Sequence, residues 1–245
     1  NKLDLREGDL IASLVSLSLT PLKIHCIKDI RMDRDQVDID GQAVLFETGL
    51  WAKLPQDLPQ ELALAVLDVA GAPAQVERLV KPGDIVAVLG GRGKSGLLCC
   101  YQAKKMAGKN GKVIAVLADE QGRVDVENAD FIDEVVICPV DQALNLLEKI
   151  TTVTAGKLCD VTINCVSREN CEMGSIMITR DLGKVYFFSM ATSFTKAALG
   201  AEGIGKDVEM IIGNGYAKNH ADITLKVLRE SQYLREMYLE RYVKK

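Results

Sequence analysis

The chain has 245 residues and a mass of 26.7 kDa, with 48% hydrophobic and 26% charged residues, enough apolar material for one large domain or for one domain plus part of another. Disorder and collagen are excluded by that balance. Thirty Lys and Arg against thirty-four Asp and Glu give a net charge of -4 and a pI near 5.4, so no surplus positive field is available to hold a nucleic-acid backbone.

The longest apolar runs, such as 11–19, are shorter than the ~20 residues of a membrane span, and no basic segment precedes an apolar stretch as in a signal peptide. A cytoplasmic protein without nucleic-acid or membrane partners is expected. The seven cysteines, 26, 99, 100, 138, 159, 165 and 171, form no C-x-x-C pair and are odd in number, which fits a reducing compartment. With His25 and His220 as the two histidines, the chain is poor in metal ligands, and no metal is expected.

In chain order, residues 1–60 read as strands and loops: 15–19 alternates, Gly41 and Gly49 mark turns, and the acidic run 33–40 reads as a solvated loop. A helical pattern follows over 61–79, with Leu62, Val66, Val69 and Val76 on its apolar side and a break expected at 71–73. Residues 81–84 are a turn, and Ile85–Leu89 is a β-rich run. A glycine cluster, a helix over 97–106 and a second apolar run at 113–117 complete a βαβ unit. Further strands are predicted at 134–137, 161–166, 185–188 and 210–212, with helices at 142–150 and from 222 to about 242. The alternation predicts an α/β fold, a Rossmann-type doubly wound parallel sheet. Three segments are expected: 1–60, a dinucleotide-binding domain over 61–216, and a helical segment over 217–245.

The sequence Gly91-Arg-Gly-Lys-Ser-Gly96 matches G-x-G-x-x-G after a predicted strand and at the start of a helix. In that setting Gly91 allows the tight turn, Gly93 lets backbone approach a pyrophosphate, and Gly96 lets the helix pack on the strand. The amides of Lys94 and Ser95 open the helix toward the anion. Asp119 ends the second strand, 23 residues past Gly96, where a carboxylate accepts from ribose hydroxyls and repels a 2′-phosphate. NAD is therefore the expected cofactor, with NADP kept open by Arg92 and Arg123 nearby. A phosphate loop of the triphosphatase kind would need glycine where Val88 stands. Two plainer readings stay open, a turn that binds nothing and Asp119 as a helix cap.

The helix, the Lys-Pro-Gly-Asp turn, the strand and the glycine loop resemble the medium-chain dehydrogenase/reductase superfamily. Within it, Asp38-Ile-Asp-Gly41, Asp68-Val-Ala-Gly-Ala-Pro-Ala-Gln75, Gly93-Lys-Ser-Gly-Leu-Leu98 and 187–196 resemble the L-erythro-3,5-diaminohexanoate dehydrogenase family, as do 198–202 and 211–216. The resemblance implies a GroES-like catalytic domain ahead of the nucleotide domain. Residues 1–60 are then a remnant of it, and the chain is expected to be N-terminally incomplete. The superfamily's four-cysteine zinc lobe has no counterpart here.

The implied chemistry is oxidative deamination of a diamino acid with loss of ammonia, by a homodimer paired through its last strand. Such a reaction needs a base for the reacting ammonium. Glu47, behind the apolar 44–46, is nominated on the expectation that it is buried, with Asp68 second. Ser189, Asn164 and Asn214 lie at strand ends where cofactor contacts are expected, and Thr192, Ser193 and Lys196 are nominated for the substrate. Two alternatives remain at this stage: a zinc-free reductase of quinone or enoyl substrates, and a dinucleotide-binding protein without turnover.

Overall fold

The computed structural model describes residues 5–15, 19–213 and 215–244. Two compact units emerge, Asn1–Asp68 with Ser231–Lys245, and Val69–Glu230.

In the first unit β1 (Ile11–Ser13) pairs antiparallel with β4 (Trp51–Lys53), and β2 (Leu22–Arg31) with β3 (Gln36–Ala43). Ser16, Leu17 and Ser18 of the alternating stretch lie outside the described residues. The acidic 33–40 run is not all loop. Asp38 and Asp40 belong to β3, where the Arg31 guanidinium bonds Asp38 at 2.7 Å, and the turn is confined to the residues before Gln36. Two irregularities keep the ribbon in phase, so that Leu22, Ile24, Ile27 and Ile30 share one face with Val37, Ile39 and Ala43. The helix α1 (Gln60–Leu67) closes this segment, burying Leu62, Ala63, Val66 and Leu67.

In the second unit α2 (Gly71–Leu79) starts where a break was expected. The interruption lies at 68–70, and Pro73 falls in the first turn of α2, where its missing N–H leaves no helical bond unmade. A six-stranded parallel sheet follows, with β5 (Ile85–Leu89), β6 (Lys112–Leu117), β7 (Glu134–Ile137), β8 (Cys159–Asn164), β9 (Thr179–Phe187) and β10 (Val208–Ile212) in the spatial order β10-β9-β8-β5-β6-β7. The order reverses at β5, whose Leu89 stands opposite Val116 of β6 and Asn164 of β8.

The helices α3 (Lys94–Ala107), α4 (Ala143–Val153), α5 (Glu172–Met177), α6 (Phe194–Gly203) and α7 (His220–Glu230) complete the unit. Ala87, Leu89, Ile114 and Val116 pack with Leu146 and Ile150 of α4, all fully buried. Each such Leu or Ile contributes ~1.5–3 kcal/mol of burial. The helix expected over 222–242 is two: α7 ends at Glu230, and Ser231 caps α8 (Gln232–Tyr242), its Oγ accepting from Leu234 N at 3.2 Å. α7 packs on α2 and α3, whereas α8 packs on α1. The expected 217–245 segment is therefore divided between the two units.

Candidate dinucleotide-binding site

After Leu89 the chain turns at Gly90, whose φ is 76°, and the Gly90 N–H donates to Val116 O of β6 at 2.9 Å. Gly93 N–H donates back to Gly90 O at 2.9 Å, closing the turn under the start of α3. The glycines are required for different reasons. A Cβ on Gly96 would collide with the Gly90 carbonyl oxygen, so the helix can approach the turn only with a bare Cα there. At Gly93 the nearest atom to such a Cβ is Gly90 O at 3.3 Å, and the residue is exposed. No side chain caps α3, so its first amides are presented as a helix N-terminus suited to an anion.

These residues form one side of a cleft of about 330 Å³ at the carboxyl ends of β5, β6 and β8, the crevice where the strand order reverses. Gly93 and Asp119 both line it, with Gly122, Cys165, Arg168 and Cys171. Of the two roles read for Asp119, the cap is present in the structure. Its Oδ1 accepts from Gln121 N at 3.0 Å, capping a short 3₁₀ turn at Glu120–Asp125, while Oδ2 takes no hydrogen bond from the described residues. The two nearby arginines are both engaged by carboxylates: Arg92 Nε donates to Asp125 at 2.7 Å and Arg123 Nε to Glu120 at 2.6 Å. The Arg123 guanidinium holds the Glu120 carboxyl below its ordinary range.

The open Cα of Gly93, the uncapped α3 and the carboxylate of Asp119 in one cleft fit a dinucleotide, with pyrophosphate at the helix and a ribose at the acid. Lys94 and Ser95 sit in the first turn of α3, and Gly91 packs on β6, where its Cβ would lie 2.8 Å from Ala115 Cβ. The Asn164 side chain is committed inside the wall. Its Nδ2 donates to Ser175 Oγ at 3.2 Å and its Oδ1 accepts from Val166 N at 2.9 Å, which shapes the chain through Cys165 and Val166.

Ser189 Oγ accepts from Ala191 N, and Ser193 Oγ caps α6 by accepting from Lys196 N. Thr192 lies between them, its N–H donating to Ser189 O at 3.3 Å. Lys196 Nζ donates to Asn170 Oδ1 at 2.6 Å, so a neutral acceptor holds the ammonium. Asn214 lies outside the described residues.

Glu47 is exposed, which removes the burial expected of it: Val44 and Phe46 before it are 52% and 56% exposed, and the apolar run does not enter a core. Asp68 is also exposed and is the C-cap of α1. Among the described residues no three His, Cys, Asp or Glu side chains converge as metal ligands.

Sequence reasoning missed the wall after β8, Cys165 to Arg168 with Cys171, although the end of a predicted strand marks the place. It also missed Glu172, a carboxylate 3% exposed whose Oε1 accepts from Ser193 N at 2.6 Å and ties α5 to the loop after β9.

Among solved structures the chain is similar to a mycobacterial quinone oxidoreductase, with a TM-score of 0.53 and 19% identity over 79% of this chain and 58% of that one. It is also similar to a mycobacterial protein complexed with NADPH, with a TM-score of 0.55 and 17% identity over 79% of this chain and 59% of the other. An alcohol dehydrogenase from Thermotoga maritima gives a TM-score of 0.59 at 14% identity, over 80% of this chain and 54% of that one. At such identities the likeness establishes the fold alone, a Rossmann-type parallel sheet with helices.

The family model of the L-erythro-3,5-diaminohexanoate dehydrogenase N-terminal domain matches residues 1–55. Two curated relatives named L-erythro-3,5-diaminohexanoate dehydrogenase are much nearer in sequence. The one from Acetoanaerobium sticklandii is 54% identical and the one from Fusobacterium nucleatum 51% identical, each over 99% of this chain and 70% of the relative. Sharing more than half of its residues with relatives of which it spans 70%, the chain belongs to the L-erythro-3,5-diaminohexanoate dehydrogenase family.

Proposed function

We propose that the protein catalyses NAD-dependent oxidative deamination of L-erythro-3,5-diaminohexanoate to 5-amino-3-oxohexanoate, releasing ammonia, as in lysine fermentation. The observation that carries the cofactor half of this reading is the pairing of Gly93 and Asp119 in one cleft beside the uncapped start of α3. Family membership carries the substrate half. The fold alone does not choose, because quinone oxidoreductases share it.

When bound, the dinucleotide supplies a nicotinamide ring that accepts hydride from the amine-bearing carbon. The chain's own residues do the rest. The first amides of α3 hold the pyrophosphate, and Asp119 Oδ2 accepts from the ribose hydroxyls. Asp119 together with the paired arginines favours NAD over NADP. Lys196, held by the amide of Asn170 and not by a carboxylate, keeps its full charge for the substrate carboxylate, with Thr192 and Ser193 beside it. A carboxylate, Glu47 first and Asp68 second, takes the ammonium proton so that the amine can release hydride.

A homodimer paired through β10 and a cytosolic setting belong to the same proposal. β10 is an edge of the sheet, and the seven cysteines are all free thiols. Among the described residues no helix is long and apolar enough to cross a membrane.

The test is NADH absorbance with L-erythro-3,5-diaminohexanoate, simpler β-amino acids, quinones and enoyl thioesters as alternative substrates. Reduction of NAD by the diamino acid is expected. Turnover of quinone or enoyl substrates with none of the diamino acid would overturn the proposal.

A further inference from the structure

The cleft wall holds a thiol pair that the proposed reaction does not use. Cys99 lies on α3 one turn beyond Gly96 and is fully buried, while Cys165 follows β8, is half-buried and lines the cleft. Their Sγ atoms are 3.9 Å apart, one thiol donating to the other. Tyr186 lies on β9, the strand paired with β8. Its side chain is 1% exposed, its hydroxyl is one of the buried polar atoms without a hydrogen-bond partner among the described residues, and ionisation of either thiol would oppose its own. An orphaned buried hydroxyl is costly, by ~1–3 kcal/mol.

Of the other thiols, Cys171 also lines the cleft, but its Sγ donates to Glu169 O at 3.8 Å and not to a second thiol. Cys100, Cys138, Cys159 and Cys171 are buried, and Cys26 is exposed on the ribbon of the first unit.

We propose that Cys165 and Cys99 form an oxidative modification site, in which hydrogen peroxide entering the cleft oxidises Cys165 and Cys99 then closes a disulfide beneath the glycine turn. In the first step the Cys165 sulfur attacks the peroxide, the O–O bond breaks, Cys165 becomes a sulfenic acid, and one water leaves with the thiol proton. In the second, the Cys99 sulfur attacks the sulfenyl sulfur, the S–O bond breaks, and the hydroxyl leaves with the Cys99 proton as a second water. Two thiols lose two electrons, and the peroxide is reduced to two waters. Cys165 borders the cleft and meets the oxidant first, and Cys99, fully buried with its sulfur 3.9 Å away, is the partner placed to resolve it.

Closing the pair to the ~2.05 Å of a disulfide draws the Cys165 wall toward α3. This part rests on the cleft being the dinucleotide site. Oxidised protein then binds the dinucleotide more weakly, and by reciprocity bound dinucleotide slows the oxidation.

The experiment uses the full chain with Cys26→Ser, which removes the exposed thiol. Protein is treated with hydrogen peroxide with and without NADH, remaining thiols are alkylated, and peptides are identified by mass spectrometry. NADH affinity is followed by fluorescence. A linked peptide joining Cys99 to Cys165, lighter by the two hydrogens lost, is expected, with NADH affinity down about tenfold, recovery in dithiothreitol and slower linkage in NADH. In Cys165→Ser peroxide no longer changes the affinity, whatever its starting value.

Sulfinic acid at Cys165 without linkage, an unmodified Cys165, or an equal peroxide effect in Cys165→Ser would overturn the proposal. A linked peptide in a protein that binds no NADH even when reduced would leave the thiol site standing and sink the cofactor reading instead.

Discussion

Arg92 Nε donates to Asp125 Oδ2 at 2.7 Å, and the same side chain lies over Gly122, where a Cβ would meet its Cδ. Gly122 and Arg92 both line the cleft with Asp119. An arginine that lines the same cleft as Asp119, the acid proposed for the ribose, is thus held by a carboxylate, which on that proposal favours an unphosphorylated ribose. Wild-type protein is expected to prefer NAD. Asp125→Ala, by releasing Arg92, should raise NADP affinity by about tenfold, the worth of one charge-assisted hydrogen bond. Asp119→Ala should narrow the gap from the other side. Titration with both reduced dinucleotides decides, and a wild-type preference for NADP would contradict this account.

Gly93 and Gly96 should separate binding from folding. Gly93 has φ -66° and ψ 167°, a conformation open to any residue, and its Cβ would meet only Gly90 O. Gly93→Val is expected to keep the melting temperature within a few degrees and to abolish NADH binding by calorimetry. Gly96→Val places a branched side chain into the Gly90 backbone and should unfold or aggregate. Unchanged NADH affinity in Gly93→Val would sink the pyrophosphate assignment.

Much of this arrangement was legible because its signals are local. Ile85–Leu89 is uniformly apolar and lies in the middle of the sheet, and the glycines that follow are demanded by contacts a few residues away, as Gly96 is by Gly90. The failures are those of tertiary context. Val44 and Phe46 look like core and are exposed, so Glu47 is not buried. Asn164 looks like a ligand at a strand end, but Ser175, across the turn to α5, takes its amide inside. The partnership of Cys99 with Cys165 joins a helix to a strand separated by 66 positions, and spacing alone cannot reveal it.

His220 carries a pH dependence of stability. It is 5% exposed, edge-on to Tyr216, and burial lowers its pKa below the ordinary 6.5, with a hydrogen bond at Ala217 acting in the opposite direction. The unfolded chain takes up the proton near 6.5 and the folded chain only at lower pH, so this contribution is present above 6.5 and is lost as pH falls toward the folded pKa. Urea midpoints should drop between about pH 7.5 and 5.5, and His220→Phe should flatten that part of the slope. An identical slope in the variant would remove His220 from the account.

β10 is the prediction for assembly. It pairs with β9 on one side and, among the described residues, has no strand on the other, and Ile212 at its end is 38% exposed. An apolar parallel-sheet edge left open invites pairing with its own copy across a two-fold axis. Sedimentation at micromolar concentration should give a dimer, and Met210→Pro, which removes an N–H from β10, should shift the population toward monomer. A monomeric wild type would count against it.

The catalytic base is the last expectation. A protonated amine cannot release hydride, so a group must take its proton. The two histidines are poor candidates, because neither His25 nor His220 lies in a segment that resembles a catalytic motif. A carboxylate remains, and Glu47 is nominated ahead of Asp68. Glu47→Gln keeps the size and the hydrogen-bonding carbonyl but cannot hold the proton, so kcat should fall by roughly 10²-fold or more while NADH affinity is unchanged. The same loss in Asp68→Asn, with Glu47→Gln near wild type, would move the base to the end of α1. Full activity in both variants would show that neither carboxylate carries the proton.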